Sequence, residues 1–227
     1  MAKQKEVSII SIPPPQIERL DVTIVGELEQ GLLVHAWSEK AKKEMLAKQM
    51  KKAKQGREAK DPERDFRESL YWMKKTGKSR IAYTAMGDKQ KVHDMVQIPP
   101  KKVDPNKHEL FGFKSIAFKA AAVRAANDVG LAMTFTRRAF HILGEFVKLE
   151  FSEIVMREDM VRIGMGTADL RYRGEFLGWS AVLPIRYNAR IISPEQIFNL
   201  LNTAGFGVGV GEWRPERYGV HGMFHVK

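Results

Sequence analysis

Residues 204–222 read AGFGVGVGEWRPERYGVHG, and six of the chain's 18 glycines fall there, at 205, 207, 209, 211, 219 and 222. Glycine in alternation lets a backbone approach a ligand closely and turn its amides toward phosphate. Gly205, Gly207, Gly209 and Gly211 are therefore candidate ligand-facing backbone. Interleaved with them are Trp213 and Tyr218, whose rings can stack on bases, and Arg214 and Arg217, whose guanidinium groups can fork onto phosphate. The pattern is not a Walker loop, because no Gly-Lys-Ser/Thr follows it. Nor is it a dinucleotide fingerprint, because its glycines follow a helical pattern rather than a strand. A glycine-rich turn with Trp213 in the core is the competing reading.

Arg171-Tyr172-Arg173, within LRYRGEF, alternates cation, aromatic and cation. Either Arg171 and Arg173 line a phosphate path, or the segment is an exposed hairpin with a core tyrosine. Arg137, Arg138, Arg186 and Arg190 are weaker candidates of the same kind. His221 and His225 are four apart, but a strand-like Met223 to Val226 separates them by about 13 Å at ~3.3 Å per residue, with no third ligand near. That favours structural or surface histidines over a metal site. Glu158 and Asp159 lack a second acidic pair at metal spacing, which disfavours a two-metal nuclease. Phe111 and Phe113, ahead of an amphipathic pattern, read as core. Zero cysteines exclude a disulfide scaffold, thiol catalysis, an iron–sulfur cluster and a cysteine-based zinc site. No cofactor is expected.

The chain has 227 residues, with 38 Lys+Arg against 27 Asp+Glu, a formal net charge of +11 and 44% hydrophobic residues. Such an apolar fraction suits a globular protein, and the basic surplus suits a polyanionic partner, nucleic acid first. More than half of the surplus lies in residues 38–60 (SEKAKKEMLAKQMKKAKQGREAK), where nine Lys/Arg face three Glu. Ser38 before strong helix formers is an N-cap signal, and nothing breaks a helix before Gly56. Ala41, Met45, Met50 and Ala53 fall near one side as a narrow apolar stripe. Lysines, among them Lys40, Lys43, Lys48, Lys51 and Lys52, cover the rest. The helix reads either as a solvated face with pairs such as Glu44 to Lys48 or as an arm that contacts phosphates. No run of about 18 apolar residues exists, so no membrane partner is expected. Met1 to Val7 has no apolar signal core, which points to the cytoplasm.

These residues need elements to position them. Leu20, Val22 and Ile24 alternate toward Gly26 as a first strand, within residues 1–31. Residues 32–110 read as a basic insertion: the lysine-rich helix, a second helix over Glu63 to Met73, and an irregular stretch with a short strand at Ile81 to Met86. Lys114 to Asn127 is an alanine-rich helix closed by Gly130. Phe146 to Val155 and Trp179 to Tyr187 alternate as strands. Ser193-Pro194-Glu195-Gln196 opens a helix to about Ala204, and Met223 to Val226 is a last short strand. Residues 111–227 thus hold the remainder of the core and the glycine-rich loop 204–222. The order strand, helix, strand, strand, helix, strand is that of an α+β, ferredoxin-like (RRM-like) βαββαβ core with a helical lysine-rich insertion.

A ferredoxin-like core whose final helix-to-strand link is glycine-rich resembles the RAMP superfamily of CRISPR-associated RNA-binding proteins. A long insertion after the first strand resembles its crRNA-coating backbone subunits. HAWSEKAKKEM at His35 to Met45 and VGVGEWRPERYG at Val208 to Gly219 are similar to a family of uncharacterised phage and prophage proteins. The resemblance implies binding of single-stranded DNA or RNA, with copies of the chain assembling as a homo-oligomer along the strand. His35 lies just after the first strand, where some RNA-cutting members of the superfamily hold a general base. Its use would need a partner such as Lys40 or Tyr71. The expectation is therefore a non-enzymatic single-strand-binding protein. The alternatives are a phage structural or host-interaction protein with an acidic protein partner, and a metal-independent RNA endonuclease using His35.

Overall fold

A computed structural model of the protein describes residues 12–51, 59–83, 89–99, 110–163 and 166–227. The first part of the chain forms β1 (Ile17–Gly26), β2 (Leu32–Val34), α1 (Glu39–Gln49), α2 (Pro62–Ser69), β3 (Trp72–Tyr83), β4 (Lys89–Gln97) and β5 (Leu110–Lys114). Then come α3 (Ser115–Ala125), α4 (Met133–Ala139), β6 (Phe140–Ile142), β7 (Phe146–Glu150), β8 (Glu153–Ile163) and β9 (Thr167–Leu177). The last elements are β10 (Ser180–Asn188), α5 (Pro194–Gly207) and β11 (Phe224–Val226). The protein is α+β, and every strand pairing among the described residues is antiparallel.

Alternation builds the frame. Leu20, Val22 and Ile24 are buried on one side of β1, and Ala181, Leu183, Ile185 and Tyr187 on one side of β10, with polar residues between them. The two strands pair from Ile17 with Asn188 to Val25 with Ser180. The main sheet runs β11-β1-β10-β7-β5-β3-β4, and β6 adds to β10 beyond the end of β7. Packed into the same core are α3, through Phe118, Ala121, Ala122 and Ala125, and α5, through Ile197, Leu200, Leu201 and Ala204. A left-handed Gly130, at φ 74°, ends the 3-10 turn that prolongs α3. Trp179, fully buried, touches the rings of Phe118 and Phe224 and lies so close to Gly26 that no side chain fits there.

A second, three-stranded sheet has the order β2-β9-β8. The single strand expected over Phe146 to Val155 divides at Phe151-Ser152, so that β8 turns away and pairs along its length with β9. α2 begins at the Asp61 cap and packs on β9, where Leu70 fills the space beside Gly174. Ser69 fixes the junction: its hydroxyl accepts from the Gly174 amide at 3.0 Å, and its carbonyl accepts from the Ala36 amide at 2.7 Å.

Residues 32–110 are not a wholly helical insertion. α1 and α2 are helices, but β2 is fully buried in the small sheet, and the hairpin of β3 and β4 extends the main sheet past β5. The short strand expected at Ile81 to Met86 is the end of β3, with residues 84–88 outside the described residues. Lysines at 74, 75, 89 and 91 interrupt apolar alternation there, while Trp72 and Met73 at the start of β3 and Met95 in β4 pack on the core and the backbones pair along the hairpin. No helix among the described residues is long and apolar enough to cross a membrane.

Candidate functional site

The link from α5 to β11 is packed chiefly against its own chain. Ser193 caps α5 with a full capping box, and the helix continues to Gly207. Gly205 and Gly207 are thus helical residues, which corrects their expected place in a ligand-facing loop. A side chain at Gly205 would sit 1.8 Å from the carbonyl oxygen of Phe224, so this glycine lets α5 lie directly on β11. Beyond the helix, the Val210 amide donates to Gly222 at 3.0 Å, the Gly222 amide to Gly31 at 3.0 Å, and the Glu212 amide to Leu33 at 2.9 Å. These bonds tie the coil to the edge of β2. Gly209 and Gly211 hold left-handed φ angles of 67° and 83° in that coil.

Beneath Trp213 lies a cluster of buried charge. Arg173, 1% exposed, gives two hydrogen bonds to Asp159 Oδ2, at 3.1 and 2.7 Å. Arg157 donates to Asp159 at 3.2 Å and to Glu175 at 3.1 Å. His221 Nδ1 lies 3.1 Å from Glu175. The Trp213 ring covers both arginines, with guanidinium carbons 5.1 and 5.4 Å from its centroid. Arg173 therefore does not line a phosphate path: its charge is consumed in fastening β8 and β9 to the coil. Trp213 is 36% exposed and is engaged by the same pair of cations. Arg171, on the same face of β9, remains partly exposed and pairs with Asp169 at 3.6 Å.

Next to this cluster is a partly open cleft of about 200 Å³. Its apolar wall comes from Phe113, from Ala117, Ala120 and Ala121 of α3, and from Val208 and Val210. Its polar lining comes from His35, Tyr71, Arg124, Glu212, Arg214 and Glu216, with Gly209 and Gly211 as backbone. Alanine on this side of α3 leaves the space that larger side chains would fill. Tyr71 packs edge-on to Phe113 at 5.8 Å. Burial first, and then the charge of Glu212, push its hydroxyl up to about 12, so it keeps its proton. Burial and the neighbouring Arg171 hold the His35 imidazole below its ordinary value, against a smaller opposing pull from Glu212. His35 is therefore neutral near pH 7. Its Nδ1 is buried and has no hydrogen-bond partner among the described residues.

Two guanidinium groups, those of Arg124 and Arg214, line the cleft. Arg124 and Arg214 share the carboxylate of Glu216, Arg214 bonding it at 2.8 and 3.1 Å. Arg214 also donates to the Gly211 carbonyl at 2.9 Å. Burial, then the like charges of Arg217 and Arg124, hold its pKa below the ordinary arginine value, against a smaller opposing pull from Glu212. Arg217 itself is exposed, and Tyr218, in the left-handed region at φ 61°, is fully exposed and buries nothing. The cleft thus brings Arg214, Gly209 and Gly211 together with His35.

It does not bring in the lysine arm. Lys43 and Lys48 are exposed and Lys40 partly so on α1, which buries no side chain, and Lys51 is exposed just beyond its C-cap. Lys52 lies outside the described residues. The candidate site's unforeseen members are Arg124, Glu212 and Glu216. For Arg124 the available signal was its place one turn beyond Ala120 and Ala121 on an alanine-lined helix face. Among the described residues no group of three or more His, Asp or Glu could hold a metal ion. The sequence matches no family model and no curated protein.

Proposed function

We propose that the protein binds single-stranded nucleic acid and does so without catalysing a reaction. The observation that carries this reading is the pair of guanidinium groups, Arg124 and Arg214, lining a cleft with an apolar wall, with exposed Arg217 close enough to Arg214 to act on its charge. Like charges held close are costly unless an anion joins them, and a phosphate is the anion that guanidinium forks fit best. Tyr218, exposed on a left-handed backbone next to Arg217, supplies a stacking surface. The lysines of α1 add sequence-independent attraction for a backbone passing outside the cleft.

A ferredoxin-like, RRM-like core is the finer reading of the fold. It is supported by the strand order β11-β1-β10-β7, with α3 between β1 and β7 in the chain and α5 between β10 and β11. RAMP-type kinship and assembly of copies along a strand belong to this same proposal. Exposed Met45, Leu46 and Met50 on α1 favour assembly, since apolar side chains there gain from a neighbouring copy.

Fluorescence anisotropy with a labelled single-stranded oligonucleotide tests the reading. Reversing two charges, Arg124→Glu and Arg217→Glu together, is expected to weaken binding by roughly tenfold or more at low salt while the thermal midpoint changes little. Unaltered affinity in that variant would remove the cleft from the interface.

A further inference from the structure

We infer that the cleft accepts one guanine base of the bound strand, with Glu212 reading its Watson–Crick edge. This rests on the strand-binding reading for the phosphates but on separate groups for the base. At about 200 Å³ the space is below the roughly 300–1,000 Å³ of sites that hold larger ligands, and it suits a single flat ring system. Phe113, the α3 alanines, Val208 and Val210 give that ring an apolar wall.

The polar lining then decides which base. Glu212 lies close enough to His35 and Tyr71 to act on the ionisation of both. Its carboxylate is 44% exposed, and its one ion pair among the described residues, to Arg173 at 3.6 Å, is longer than a hydrogen bond. A carboxylate offers two adjacent acceptors. Guanine is the base that presents two adjacent donors, N1–H and the N2 amino group, beside an acceptor, O6. Adenine and cytosine each place one amino donor beside a ring acceptor, and uracil flanks its single donor with acceptors. A donor next to the carboxylate would complete the match to O6. The Tyr71 hydroxyl, which lines the cleft and keeps its proton, is the candidate. Arg124, Arg214 and Arg217 would hold the phosphates of the same nucleotide and its neighbours outside the cleft.

The experiment compares oligouridine with otherwise identical strands carrying one central guanine, adenine or cytosine, which avoids guanine quadruplexes. Guanosine and uridine monophosphates are titrated separately and followed by NMR line shifts. Wild type is expected to prefer the guanine strand by roughly tenfold, the value of one bidentate base contact. Glu212→Gln, which replaces one acceptor by a donor, is expected to lose that preference and keep its affinity for oligouridine. Glu212→Ala should do the same, and both should keep the wild-type thermal midpoint to within a few degrees. Equal binding of all four strands by wild type, or a guanine preference that survives Glu212→Gln, would overturn the inference while leaving strand binding intact. Failure to bind any strand would overturn the strand-binding reading. Guanosine monophosphate binding that uridine monophosphate does not share would still uphold the pocket, and its absence would overturn that too.

Discussion

At the scale of single residues, two types chosen for ligand chemistry turn out to serve packing. Gly205 looked like ligand-facing backbone and instead meets the Phe224 carbonyl. Gly205→Ala is expected to force α5 from β11 and lower stability by about 1–3 kcal/mol, read as a fall in thermal midpoint. A glycine reserved for a ligand would leave the midpoint unchanged and weaken binding alone. Arg173 looked like a phosphate contact and instead answers Asp159 in the interior. Asp159→Leu alone strands a buried cation and is expected to cost about 3–5 kcal/mol, whereas Asp159→Leu with Arg173→Met should recover most of that loss. Urea unfolding of the two variants measures both. Sequence alone could not separate Arg173 from Arg214, because alternation along β9 puts residues on a face without saying what covers it. Trp213 is what covers it here, from 40 positions farther along the chain.

At the scale of elements, sequence patterns were readable wherever burial was one-sided. β1, β10 and α5 lie where alternation and the Ser193-Pro194 cap put them. α3 lies where its alanine-rich run puts it, but the aligned set Ile116, Ala120 and Val123 is not its inner face: Ile116 and Ala120 are exposed, and Phe118, Ala121, Ala122 and Ala125 pack inward. The Ser38 cap of α1 also appears, its side chain accepting from the Ala41 amide at 3.1 Å. The hairpin of β3 and β4 was hidden because lysines break its alternation beyond Trp72 and Met73. β8 and β9 were blurred because one of their faces buries charge rather than hydrocarbon. The candidate cleft was half legible: its glycine-arginine strip stands out in sequence, while Arg124, Tyr71 and His35 reach it only through the fold. α1 allows a clean separation of binding from folding, since it buries nothing. Changing Lys43, Lys48 and Lys51 to Gln is expected to shift the thermal midpoint by no more than a few degrees. If all three meet phosphates, it should flatten the salt dependence of single-strand binding by about 2 log units per log unit. An unchanged slope would mean that the arm lies off the strand.

At the scale of the whole molecule, where Lys and Arg outnumber Asp and Glu by 38 to 27, cations among the described residues serve three different uses. One share is internal, neutralised beneath Trp213. A second is exposed along α1, where no fold requirement explains it. The third, Arg124 and Arg214 with exposed Arg217 beside them, sits at the cleft together with Glu212 and Glu216. The first fastens the small sheet to the coil after α5, and the other two are the cations that the strand-binding proposal calls on. The most direct measurement is the affinity for matched single-stranded and duplex oligonucleotides between about 50 and 200 mM salt. The expected result is tighter binding of the single strand, with log affinity falling linearly in log salt at ~0.7 per phosphate engaged. Absence of binding at micromolar protein in the lowest salt, or a preference for duplex, would contradict it.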